Sequence, residues 1–211
     1  MLEQKRYAIT DEAEIQALVR DQGWATLVTG TPAGLAVSHL PVVPESDSLV
    51  VLGHLARADA DLHELGRHEV ALVVQGPHGY ISPSWYTGGP YVPTWNFVVA
   101  HLYGRPEVLD ADETYRVLDR TVDHFERHRP SPWRLDSVSG YAHRIAGGTV
   151  GFRLRPDRVV GKVKLSQDKP AGDVASVVAA LDRDPTHANP ALAEAMRRQH
   201  AVAQEQARPK G

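Results

Sequence analysis

The sequence predicts a mainly β fold, an antiparallel barrel with added helices. Three observations carry that expectation. Short apolar or β-branched runs, about seven of them, recur with hairpin-like spacing. Turn residues separate them, as in Thr31-Pro32-Ala33-Gly34. Neither a GxGxxG turn nor a GxxxxGK[ST] loop occurs, so the parallel-sheet nucleotide folds lose support.

The elements follow in chain order. Asp11 and Glu14 form a capping pattern, Ile15, Leu18 and Val19 repeat at helical spacing, and Gly23 is placed as the stop, which predicts a helix over 11–22. Strands are expected at Trp24–Thr29, Leu35–Val43, Ser48–His54 and Val70–Gln75, with a short helix over Asp59–Gly66. Thr94–Leu109 reads as one long strand bent at Gly104–Pro106. Asp110 and Glu113 open a second helix, whose expected inner face carries Tyr115, Leu118, Val122 and Phe125. Residues 137–146 read as helix, Thr149–Leu154 and Val159–Leu165 as strands, and the alanine-rich stretches near 172–183 and 190–208 as helices. The expected division is a domain over 1–183 and a helical tail over 184–211, polar enough to fray or to pack on a partner.

Composition narrows the chemistry. A chain of 211 residues is long enough to bury a sizeable core. Its net charge of -3 and pI near 6.4 give no bulk reason to expect nucleic acid. With no cysteine, disulfides, thiolate catalysis and cysteine-bound metal are excluded. No apolar run follows the early Lys5-Arg6, and no stretch approaches ~20 apolar residues, so the expectation is a cytoplasmic protein.

Five stretches carry candidate chemistry. Gly76–Asn96 packs four prolines, three tyrosines and two tryptophans into twenty-one residues, which suits either a wall for a planar ligand or an aromatic strand pair in the core. Ser38-His39-Leu40-Pro41 ends a strand. Gly53-His54-Leu55-Ala56-Arg57-Ala58-Asp59 passes from strand to helix, and an arginine there suits a phosphate unless it pairs with Asp59 or Asp61. Thr94-Trp95-Asn96 offers a stacking face and amide groups. In Gly161–Asp168, alternation sets Lys162, Lys164 and Ser166 on one strand face, where they hold an anion or simply guard an edge. His124 and His128 stand four apart on a helix but lack an evident third ligand, so no metal is expected.

In this order and at these intervals, SHLP (38–41), GHLARAD (53–59), QGPHGYISPSWY (75–86), VPTWNFVVAHLYG (92–104), SPWRLD (131–136) and VGFRL…GKVKLSQD (150–168) resemble the PaiB family, the FMN-binding negative transcriptional regulators. The resemblance covers roughly residues 7–183. It implies a split β-barrel of the pyridoxamine-phosphate-oxidase type, a homodimer, and FMN held near the subunit interface. It also implies phosphate and ribityl contacts at His54, Arg57 and Ala58, a flavin ring near His39, Leu40 and Pro41 with Trp95 and Asn96, and polar contacts from Lys162, Lys164 and Gln167. Three positions depart from the family pattern: Asp59 and Asp168 stand where asparagine is usual, and the loop between Tyr86 and Val92 is short.

The implied role is an FMN-binding repressor. DNA contact has only Lys5-Arg6 and Arg197-Arg198 behind it, and no helix-turn-helix is evident. An FMN-dependent oxidoreductase is the alternative, with Tyr80–Trp95 as substrate wall and His39 or Tyr86 as proton donor. A haem-binding split-barrel protein with one axial histidine is the third reading.

Overall fold

A computed structural model describes residues 1–45 and 49–206. Nine strands form one sheet: β1 (Ala8–Ile9), β2 (Trp24–Thr31), β3 (Gly34–Pro44), β4 (Val51–Ala56), β5 (Val70–Ile81), β6 (Thr94–Gly104), β7 (Glu107–Val108), β8 (Thr149–Leu154) and β9 (Arg158–Lys164). Their order is β1-β9-β6-β5-β2-β3-β4-β8-β7. The helices are α1 (Glu12–Gln22), α2 (Arg57–Leu62), α3 (Ala111–Glu126), α4 (Ser139–Ala146), α5 (Ala171–Arg183) and α6 (Pro190–Gln206). The mainly antiparallel sheet with helical additions agrees with the expected class.

The chain forms two compact units. The larger comprises Thr10–Gln75 and Ala100–Val160. Within it β2–β3, β2–β5, β3–β4, β4–β8 and β7–β8 pair antiparallel. The Asp11 carboxylate accepts from Ala13 N at 2.9 Å to start α1, and Gly23 ends it in the left-handed region at φ 62. The tight turn predicted at Thr31–Gly34 joins β2 to β3, with the Thr31 hydroxyl donating to Gly34 O at 2.9 Å. Gly53 needs to be glycine for a packing reason: a Cβ there would meet Phe152 at 2.6 Å and Leu40 at 3.2 Å. Helix α3 closes a small core of Val43, Leu52, Leu109 and Val117.

Several elements differ from expectation. Residue 48, where a strand was expected to begin, lies outside the described residues, and β4 starts at Val51. Helix α2 begins at Arg57, two residues before the expected Asp59. The long strand from Thr94 ends at Gly104, and Glu107–Val108 forms its own short strand against β8, because Pro106 has no amide to continue a ladder. The buried face of α3 is Thr114, Val117 and Thr121, while Tyr115, Leu118 and Val122 are partly covered and Phe125 is 51% exposed. Threonine replaces apolar bulk on that face because each hydroxyl has a partner: Gly151 N donates to Thr114 Oγ1 at 3.0 Å, and Thr121 Oγ1 donates to Val117 O at 2.8 Å.

The smaller unit comprises Met1–Ile9, Gly76–Val99 and Gly161–Gly211. Here β1 pairs antiparallel with β9. Its core is Ile81 and Leu165 with Val174, Val177 and Leu181 from α5 and Leu192 and Met196 from α6. The polar tail helix therefore buries one apolar stripe against α5 rather than fraying at its start. Strand β5 runs on past the expected end at Gln75, through Gly76–Gly79 to Ile81.

Candidate functional site

In the larger unit, the strand β4 delivers GHLARAD to the start of α2. Arg57 N donates to Gly148 O at 2.9 Å, which fixes the backbone. Its guanidinium is exposed: Nε donates to Gly147 O at 3.0 Å and Nη2 reaches Thr149 O at 3.5 Å. No carboxylate pairs with it among the described residues, and neither Asp59 nor Asp61 does so. Asp59 instead acts on His63, whose charged form it favours. An arginine held by two neutral carbonyls and left without a counter-ion has donors free to receive an anion. It lines a recess of about 310 Å³ with Tyr115, His143, Gly147 and Thr149, in which His143 stacks on Tyr115 at 3.8 Å.

His54 lies one pleat from Leu52, so both share the sheet face on which α3 packs. Its Nδ1 is buried without a hydrogen-bond partner, and burial pulls its imidazole below the ordinary range. Ala58 is exposed on α2. In β3 the three residues after Ser38 part ways. His39 points to the exposed face, where it stacks on Trp24 at 6.5 Å and bonds Thr26 Oγ1 at 3.0 Å. Leu40 is core at 1% exposure, and Pro41 is half-buried.

A residue with no distinguishing signal in the sequence sits beneath them. His63 is fully buried, with Thr29 Oγ1 at 2.7 Å from Nδ1 and Ser38 Oγ at 3.0 Å from Nε2. Burial lowers its pKa, and Asp59 partly opposes that. It ties the end of α2 to β2 and β3, and so steadies the helix that begins with Arg57.

In the smaller unit, Trp95 is 49% exposed, stacked on His78 at 6.1 Å with Tyr80 edge-on at 6.5 Å. Asn96 is buried; its amide donates to Ser166 Oγ at 2.9 Å, while Oδ1 has no partner. The two strand lysines diverge in their partners. Lys162 is 8% exposed and donates to Leu2 O and Gln4 Oε1, both at 3.1 Å. Lys164 donates to Thr94 Oγ1 at 2.6 Å and Trp95 O at 2.8 Å, with burial pulling its pKa down. The alternating face stops there, because Ser166 turns into the left-handed region at φ 65. Gln167 stabilises that turn, accepting from Leu165 N and donating to Val163 O, both at 2.7 Å. Asp168 pairs with Lys169 at 2.8 Å.

Asp173 likewise has no distinguishing signal in the sequence. In the sequence it is one acid at the start of an alanine-rich helix. In the structure it is 3% exposed and accepts from Thr87 N, Thr87 Oγ1, Gly88 N and Tyr91 Oη, at 2.8, 2.6, 2.9 and 3.0 Å. Those bonds hold its carboxyl down at about 2. The short loop between Tyr86 and Val92 is thus strapped down at three of its residues.

Residues 1–158 match the model of the FMN_bind_2 family, whose description reads "Putative FMN-binding domain". The protease synthase and sporulation protein PAI 2 of Bacillus subtilis is 31% identical over 196 residues, covering 91% of this chain and 94% of that protein. The chain belongs to the PaiB family of FMN-binding domains. An uncharacterised protein of Aspergillus fumigatus is 27% identical over 238 residues, covering 87% of this chain and 91% of its own length. Among solved structures, an FAD and haem binding protein from Mycobacterium smegmatis superposes with TM-score 0.61 at 17% identity, covering 81% of this chain and 80% of that one. The flavocytochrome Anf3 from Azotobacter vinelandii gives TM-score 0.58 at 18% identity, covering 77% and 72%. At such identities these two speak for the fold alone, the split barrel of flavin-binding proteins. Among the described residues no helix is long and apolar enough to cross a membrane.

Proposed function

We propose that this family member is a cytoplasmic homodimer that takes FMN for a regulatory purpose, with Arg57 receiving the phosphate. The observation that carries the phosphate assignment is the uncompensated guanidinium, already oriented by two carbonyls and free of Asp59 and Asp61. Trp95, half-exposed and flanked by His78 and Tyr80, is the smaller unit's stacking face for a planar ring. Lys162 and Gln167 have their polar groups engaged within the fold, and act on a ligand only by shaping what surrounds it. When bound, FMN supplies a group that accepts and returns electrons.

Support for self-association comes from the larger unit. The outward face of β2 and β3 carries Trp24, Leu35 and Val37 at 57%, 78% and 53% exposure, with Val28 and Pro41 half-buried between them. Exposed apolar side chains grouped on a sheet face, here flanking the Thr26–His39 pair, suit an interface. Arg197 offers DNA little, since it pairs with Asp182 and Glu194. A gel shift at low salt tests direct DNA contact, and the absorption spectrum of the purified protein tests the flavin. A yellow protein sedimenting as a dimer fits the reading; a colourless monomer that cannot be loaded with FMN refutes it.

A further inference from the structure

The smaller unit contains a second recess, of about 320 Å³, two of whose buried polar atoms lack partners. Asn96 lines it at 1% exposure, and its Oδ1 accepts no hydrogen bond. The Tyr86 hydroxyl is also buried and unbonded; the Ser166 hydroxyl beside it already receives the Asn96 amide, and the geometry makes no bond between Tyr86 and Ser166. Lys164 reaches the same recess with no carboxylate in ion-pair range among the described residues, and Asp168 favours its charged form only from farther away. Two of its three N–H donors go to Thr94 Oγ1 and Trp95 O, leaving one. Lys169, in contrast, is neutralised by Asp168 at 2.8 Å.

Buried polar groups in folded proteins are normally satisfied, and a desolvated cation normally has a counter-ion. Here an acceptor, a hydroxyl and an ammonium are left over in one recess, and their unmet needs define a complement. An anion answers Lys164 and the Tyr86 O–H. A hydrogen-bond donor answers Asn96 Oδ1. The rings of Tyr7, Tyr86 and Tyr91 suit a flat apolar body, and the paired Asp168 and Lys169 also line the recess. The volume lies at the low end for ligand sites, enough for a one- or two-ring molecule. The rim segment that includes Tyr91 is fastened by Asp173 through Thr87, Gly88 and Tyr91, so the recess is preformed.

We propose that this recess binds a small aromatic carboxylic acid carrying a ring hydroxyl or N–H, its carboxylate on Lys164 and Tyr86 and its donor on Asn96. The proposal reaches beyond the flavin reading and does not depend on it. It assigns Asn96 and Lys164, which the family resemblance implied as cofactor contacts, to a separate ligand.

The test titrates 4-hydroxybenzoate into the full chain by calorimetry, with 4-hydroxybenzamide and tyramine as uncharged and cationic controls. A Kd of about 1 mM or tighter is expected, which roughly ten non-hydrogen atoms can supply. The amide and the amine should bind at least about tenfold more weakly, the loss of one charged hydrogen bond. Lys164→Gln should remove that preference. Tyr86→Phe, which deletes an unbonded hydroxyl and should fold at least as stably, should weaken the acid by about threefold to tenfold. Saturating FMN should leave acid binding in place. Absence of binding, equal binding by wild type, Lys164→Gln and Tyr86→Phe, or complete competition by FMN each overturns the proposal. Failure of FMN to bind at all would count against the flavin reading and leave this one standing.

Discussion

Replacing Arg57 with alanine should weaken FMN binding far more than it weakens the fold. The guanidinium has five N–H donors. One goes to Gly147 O at 3.0 Å and one to Thr149 O at 3.5 Å, the latter at the edge of bonding distance. Three donors remain for an anion. Loss of a charge-assisted bond removes about 1.5–3 kcal/mol, so the Kd for FMN should rise roughly 10- to 150-fold. Stability should fall by about 1 kcal/mol or less, because the side chain is exposed. Arg57→Lys should recover only part of the affinity, since an ammonium cannot serve both carbonyls and an anion with one planar fork. Flavin-fluorescence quenching gives the affinities and urea unfolding of the apo protein gives the stability. An unchanged Kd in Arg57→Ala, with the fold intact, would show that the phosphate lies elsewhere.

Three further outcomes are expected. Gly53→Ala drives a methyl to 2.6 Å from Phe152 and should destabilise the protein by about 1–3 kcal/mol in urea unfolding; a neutral result would mean that Phe152 yields freely. Burial lowers the pKa of both His54 and His63, so the unfolded chain binds protons that the fold refuses. Stability should therefore be full above pH ~6.5 and decline as pH falls below it, and His63→Phe should flatten part of that slope. Asp173, held at about 2, contributes stability that is present above the ordinary carboxylate range and lost as pH falls from ~4 towards 2. Asp173→Asn should abolish that acid limb and speed amide exchange at Thr87 and Gly88 by at least about tenfold, and unaltered exchange would mean the strap is held by something else.

Legibility in the sequence depended on how local each cause was. Helix α1 was readable because its cap, apolar spacing and Gly23 all act within a few residues. The β2–β3 turn was readable for the same reason. The continuation of β5 through Gly76–Ile81 was not, since glycine and proline punctuate only until long-range packing overrules them: a Cβ at Gly79 would meet Leu192 and Asn189 at 3.0 and 3.1 Å. The face of α3 departs from the apolar pattern because Thr114 and Thr121 bury hydroxyls that have partners.

The candidate site divides in the same way. Arg57 stood out because strand, helix start and cation are adjacent in the chain. That it lacks a counter-ion could be learned only from three dimensions, where Gly147 and Thr149 arrive ninety residues later. His63 and Asp173 carry no sequence signal at all: their importance lies in partners at separations of 25 to 86 residues. Lys162 and Lys164 looked equivalent by alternation, yet one is tied to the chain's beginning and the other to Thr94–Trp95.

The central claim is that this PaiB-family chain holds FMN through Arg57, and an equilibrium titration of FMN against wild type and Arg57→Ala tests it most directly. Saturation at one flavin per chain, with affinity reduced at least about tenfold in the variant, is the predicted result. No saturable binding by the wild-type protein, or equal affinity in both, would contradict it.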